Sequence, residues 1–171
     1  MFYDPNRLNT KRLINCNASA RNNGKEIIFW GVPCIFPQAN SLEKIIKLVM
    51  NEEALFDKEK AKAILEVNSD RQVSYYYSSL VYIGLVKSNK RLNDETKESC
   101  IDEKKLKKLI TKKLLEKELF NKLYKYFLDK PIDTEILIEE VKRLNSKLNS
   151  DTIKRRASTV KAWLEWLYNN Q

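Results

Sequence analysis

Histidine is absent from this chain of 171 residues. Its absence excludes Ser-His-Asp and Cys-His catalysis in their usual form, and any zinc site with a histidine ligand. Three glycines and four prolines are too few for the frequent turns of an all-β fold. The glycines are also too few for a phosphate-cradling G-x-x-x-x-G-K-[ST] loop, which does not occur. The three cysteines, Cys16, Cys34 and Cys100, are odd in number and far apart. They predict neither a disulfide framework nor a metal site, and they suit a reducing cytoplasm. No segment approaches the ~18 apolar residues that a membrane-crossing helix needs. The start, Met1-Phe2-Tyr3-Asp4-Pro5, lacks the basic and apolar regions of a secretion signal. No cofactor and no membrane partner are expected.

What the chain does have is charge and helix formers. Lysine and arginine number 32 against 23 aspartates and glutamates, for a net charge of +9 and a pI near 9.4. Such an excess attracts polyanions. Apolar residues make up 43%, enough for a core. Long Lys/Glu/Leu/Ile segments favour helix.

Residues 1–25 are polar and weakly patterned, and read as an N-terminal arm. Glu26 to Pro37 is a short apolar stretch whose β-branched and aromatic residues predict a strand, interrupted at Gly31 and Pro33. Asn40 is the expected cap of a first helix, with Ile45, Ile46, Val49 and Met50 as its apolar stripe. Asp57 caps a second helix, on which Ala61, Ile64 and Leu65 share a face. After a tight turn, Ser69-Asp70-Arg71-Gln72 is a capping box for a third helix. That helix buries Val73, Tyr76, Leu80 and Ile83 and ends at Gly84. Leu85 to Asn93 then predicts a hairpin with a basic tip. The order helix, helix, turn, helix, hairpin is that of a winged helix-turn-helix.

Asp102 to Phe127 is a lysine-rich amphipathic segment of one or two helices. Asp133 caps another, carrying Ile136, Leu137, Val141 and Leu144. Ser150 or Asp151 caps the last, with Ile153, Ala157, Val160, Leu164 and Leu167 in a stripe. At one constant offset Ala157, Val160, Leu164 and Leu167 match Val73, Tyr76, Leu80 and Ile83 of the third helix. The expected architecture is therefore mainly α with a small β component: a winged helix-turn-helix over 26–98, and a second trihelical unit over 99–171 lacking a full wing.

Three exposed sets are candidates for contacting nucleic acid. On the third helix Arg71, Ser74, Tyr75 and Ser78 lie at i, i+3, i+4 and i+7, with Gln72 beside them. Small hydroxyls permit close approach to a groove, and the arginine sits at the end that usually meets bases or phosphates. The hairpin tip offers Lys87, Lys90 and Arg91 as point charges for phosphate. The last helix offers Thr152, Arg155, Arg156 and Thr159. Guanidinium forks there can take phosphate or guanine in two-pronged geometry. The competing readings are a solvated face, a charged turn, and salt bridges to Glu139 or Glu140. Trp163 and Trp166 flank the last stripe and read first as core. A nuclease centre is not expected: Asp133 and Glu140-Val141-Lys142 lie on one predicted helix, and Glu103-Lys104-Lys105 fails likewise, whereas a P-D…E-x-K site gathers its carboxylates from strands.

The segments Arg71-Gln72-x-x-Tyr75-Tyr76 and Tyr82-Ile83-Gly84-Leu85-Val86 resemble the third helix and first wing strand of winged-helix domains found beside restriction-modification enzymes. Thr152-x-x-Arg155-Arg156-x-x-Thr159-Val160-x-x-Trp163-Leu164-x-Trp166-Leu167 resembles their closing helix, and Phe29-Trp30-Gly31-Val32-Pro33 their first strand. The resemblance implies double-stranded DNA binding in a restriction-modification or phage-defence setting. An encoded nuclease or methyltransferase, or a second copy in a homodimer, are partners it admits. Two other readings remain: a helical protein-interaction subunit docking through Trp163, Trp166 and the N-terminal aromatic segment, and a structure-specific RNA binder.

Overall fold

The computed structural model describes residues 37–170, Ser88 excepted, all within the compact unit Ile35–Gln171. The N-terminal arm, the strand expected before Pro37, Cys16 and Cys34 lie outside the described residues. The elements run α1 (Leu42–Met50), a 3-10 turn (Glu52–Leu55), α2 (Lys58–Leu65), α3 (Asp70–Ile83), α4 (Asp94–Ser99), α5 (Glu103–Leu115), α6 (Glu118–Tyr126), α7 (Thr134–Leu144) and α8 (Ser150–Asn169).

Capping residues set most of these boundaries. Side chains of Asp57, Ser69, Asp102 and Asp133 accept hydrogen bonds from the first free N–H groups of α2, α3, α5 and α7. Two expected caps move by one residue. Ser41, not Asn40, caps α1, and Asn149, not Ser150 or Asp151, caps α8. Gly84 ends α3 at φ 88°, a left-handed conformation that glycine adopts without a Cβ penalty. Glu66 takes the same region, φ 51°, at the end of α2.

The expected wing is overturned. Among the described residues there is no strand, and Val86 and Leu92 share only one isolated antiparallel bridge. The reason is local. The Asn93 side chain donates to the Gly84 carbonyl and accepts from the Thr96 N–H at 2.8 Å. The chain therefore turns into α4 directly after the bridge, and no residues are left for a ladder. Residues 85–93 form a short reversal, closed by Lys87 N–H to Arg91 O at 2.8 Å and Asn93 N–H to Leu85 O at 3.1 Å. The described residues form an all-helical fold rather than a winged one.

One hydrophobic core runs through the described residues from Leu42 to Leu167. The α3 and α8 stripes behave as their spacing predicts: Val73, Leu80 and Ile83 are buried, Tyr76 half-buried, and Ile153, Ala157, Val160, Leu164 and Leu167 all buried. Met50 and Leu144, expected inside, are exposed. Trp163 is the centre of the core. Its ring is fully buried, stacks on Phe120 with centroids 5.7 Å apart, and lies 6.2 Å from Tyr82. Its Nε1–H donates to the Ala39 carbonyl at 2.7 Å. Trp166, also buried, donates to Glu43 Oε1 at 2.8 Å. These bonds satisfy the polar atom of each indole, as burial demands, and strap α1 and the segment before it onto α8. A second polar joint lies between α6 and α7, where buried Glu140 accepts from Lys122 at 2.7 Å and from Arg143 at 3.0 Å. Burial and the nearby Arg143 cation push the Lys122 ammonium down to about 8.

Candidate nucleic-acid interface

Helix α3 begins in a web of charge. Asp70 accepts from Lys58 at 3.1 Å and Lys62 at 2.7 Å, tying α2 to the first turn of α3. These hydrogen bonds, Lys62's first, hold the Asp70 carboxyl below its usual value. Next to it Arg71 is exposed and makes no ion pair with a described residue. Its Nε–H donates to the Tyr75 hydroxyl at 2.6 Å, and its guanidinium carbon stands 5.7 Å from the Tyr75 ring centroid. Ser74 donates to the Asp70 carbonyl and Ser78 to the Ser74 carbonyl, each at 2.9 Å. Their protons are spent within the helix, so as they stand they offer a ligand only acceptor lone pairs. Gln72 is exposed, with its side-chain oxygen folded back onto the Ser69 hydroxyl at 3.2 Å.

In the 85–93 reversal, Lys87 and Arg91 are exposed. Lys90 is committed: its backbone has φ 64°, and its ammonium sits 4.3 Å from the Tyr77 ring centroid. Tyr77 in turn donates to the Ala54 carbonyl at 2.8 Å.

Helix α8 divides its four candidates. Arg155 is exposed and makes no ion pair with a described residue. Arg156 and Thr152 are half-buried. Thr159 is fully buried, its hydroxyl between the Asn40 side chain and the Arg155 carbonyl. It is thereby removed from any surface. The segment before α1 lies over that side of α8, which the helical period alone does not reveal. Trp163 and Trp166 are core residues, so they are not a docking face.

The α3 and α8 candidates stand away from the contact between their two helices. Among the ring contacts, α3 and α8 meet where Tyr82 faces Trp163. At 1.5 Å per residue, Arg71 lies about 16 Å along α3 from that crossing, and Arg155 about 12 Å along α8.

Sequence reasoning passed over the outer face of α5. Lys104, Lys105 and Lys108 are exposed and make no ion pair with a described residue. The signal was available, since the apolar residues of 102–127 define the opposite side. Elsewhere, a shallow hollow lined by Glu59, Lys62, Glu66 and Asn68 has the wrong sign for an anion. Among the described residues no group of three Asp, Glu or Cys can hold a metal ion. Cys100 is half-buried, donates to the Val49 carbonyl at 3.9 Å, and has its thiol pushed up by burial.

Residues 42–171 match a family described as a domain of unknown function, DUF7226. The chain belongs to this family. The match covers every helix from α1 to α8. No curated protein and no solved structure matches the chain. Nothing in these comparisons connects this DUF7226 protein with winged-helix or restriction-modification proteins.

Proposed function

We propose that this DUF7226 protein binds double-stranded DNA, as a binding protein rather than an enzyme, in a cytoplasmic setting. Arg71 and Tyr75 on α3 approach the groove, and Lys87, Arg91 and Arg155 contact phosphates. The restriction-modification or phage-defence context is the one its resemblance implies. One observation carries the reading: these four cations stand exposed without a carboxylate partner among the described residues. In a chain so rich in Glu and Asp, cations left unneutralised on the surface are the ones free to meet phosphate. No described helix is long and apolar enough to cross a membrane.

Electrophoretic shift on duplex DNA tests it. With roughly five phosphate contacts, log K against log salt should slope by about −4 to −5. Arg71→Ala with Arg155→Ala should weaken binding by more than about tenfold. Affinity unchanged between about 50 and 300 mM salt overturns the proposal. RNA hairpins bound in clear preference to duplex DNA would move it to the RNA reading.

A further inference from the structure

Helix α5 carries six lysines, and the fold treats them in two ways. Lys107 donates to Glu103 and Glu43 at 3.0 and 3.2 Å. Lys112 and Lys113 converge on Glu95 of α4 at 3.1 and 2.7 Å. Lys104, Lys105 and Lys108 are exposed and make no ion pair with a described residue. Positions i, i+1 and i+4 lie on one side of a helix, and Lys112, itself largely exposed, continues the row one turn on. The opposite side, with Leu106, Leu109, Ile110 and Leu114, is buried in the core, so the row cannot turn inward.

We infer that the outer face of α5 is a separate phosphate-binding surface that follows the backbone of duplex DNA without reading its sequence. The inference rests on the DNA-binding proposal and adds a site to it. The chemistry decides the mode. The α5 sequence, EKKLKKLITKKLL, holds no Arg, Asn or Gln, whose planar groups pair two-pronged with base edges; lysine can reach guanine but has no such fork. Lysine ammoniums are compact point charges that bind phosphate oxygens singly. A lipid surface fits less well. A helix lying on a membrane needs apolar side chains to insert beside its lysines, and those of α5 are consumed by the core.

The full chain is titrated by fluorescence anisotropy with two duplexes of unrelated sequence, across about 50 to 300 mM salt. It is compared with a variant carrying Lys104→Gln, Lys105→Gln and Lys108→Gln. A control carries Lys47→Gln, Lys125→Gln and Lys142→Gln, exposed lysines elsewhere with no ion pair to a described residue. The α5 variant should lose roughly tenfold or more on both duplexes alike, and its salt slope should become shallower by about 2.7, three contacts at about 0.9 each. The control should keep its slope within about one. Equal losses in both variants would mean that net charge alone acts and overturn the inference. So would a slope unchanged in the α5 variant, or a loss confined to one duplex. Vesicles containing phosphatidylserine form a further arm: wild-type binding to them, lost in the α5 variant while DNA binding persists, also overturns it. If wild type binds neither duplex at about 50 mM salt, the DNA-binding proposal falls first and takes this site with it. If wild type binds and only the α5 effect is missing, the proposal stands without it. Matching circular dichroism melts show that the variants are folded.

Discussion

Residues 42–83, spanning α1 to α3, contain six lysines and arginines against seven carboxylates, whereas residues 84–170 contain 21 against 14. The two regions share one core but differ in what their cations do. In the first, Lys44, Lys58, Lys60 and Lys62 are all held by carboxylates, leaving Lys47 and Arg71 exposed and outside any ion pair with a described residue. In the second, Lys87, Arg91, Lys104, Lys105, Lys108 and Arg155 are exposed and outside any ion pair with a described residue. The helix that most resembles a recognition helix thus sits in the nearly neutral region, and the field that would draw in DNA comes from the other. Attraction and any base reading are assigned to different elements.

The largest expected effect tests whether the regions share a core at all. Trp163→Ala removes a fully buried ring that touches Phe120, Tyr82 and Ala39. It should cost about 3–5 kcal/mol, read from urea unfolding. Both regions should melt in one transition. Two separate transitions would break the comparison by showing independent units. Next, Glu140→Gln removes the buried charge that Lys122 and Arg143 share in the α6–α7 joint. Breaking a buried pair costs about 3–5 kcal/mol. Since Arg143 is 41% exposed, about 2 kcal/mol is expected, seen as a lower urea midpoint. Gly84→Ala, at the junction of the two regions, should cost about 1 kcal/mol. No atom lies within 4 Å of the added Cβ, so the cost is backbone conformation alone. A null result in thermal melts would show that the junction relaxes.

The smallest effect concerns acid. Hydrogen bonds from Lys62 and Lys58 lower Asp70, and those from Lys113 and Lys112 lower Glu95. A carboxylate with a lowered folded value stabilises fully above its unfolded value near 4, and loses that share as pH falls through the folded value. Asp70→Asn should therefore flatten the loss of melting temperature between about pH 5 and 2. Added salt should shrink the difference, since both groups face water. An unchanged acid limb at low salt would show that the α2–α3 web adds nothing.

Much of the architecture was legible in the sequence. The 3-4-3 spacing of Val73, Tyr76, Leu80 and Ile83 and the 4-3-4-3 spacing of the α8 stripe name buried faces because helical period ties position to side. Capping residues were legible to within one position. Asn40 and Ser41 are both good caps, and only the pull of Thr159 on the Asn40 side chain separates them. The wing was misread because apolar residues flanking a polar tip suit both a hairpin and a short reversal. Asn93 decided between them by capping α4. Of the candidate site, Arg71, Lys87, Arg91 and Arg155 stand on the surface as the periodicity expects. Thr159 and Lys90 do not, because each meets a residue distant in sequence or across a turn.

Composition and spacing by themselves determined that this chain would be helical, where most helices begin, which sides they bury, and that it would carry surplus positive charge. Only the tertiary structure decided which cations keep that charge available. A helical repeat says which way a lysine points, but not whether a glutamate from another element waits there. Glu95 waits for Lys112 and Lys113, and among the described residues none pairs with Lys104, Lys105 or Lys108. Neutralisation acts over a few ångströms between residues far apart in the chain, and those distances exist only once the chain has folded.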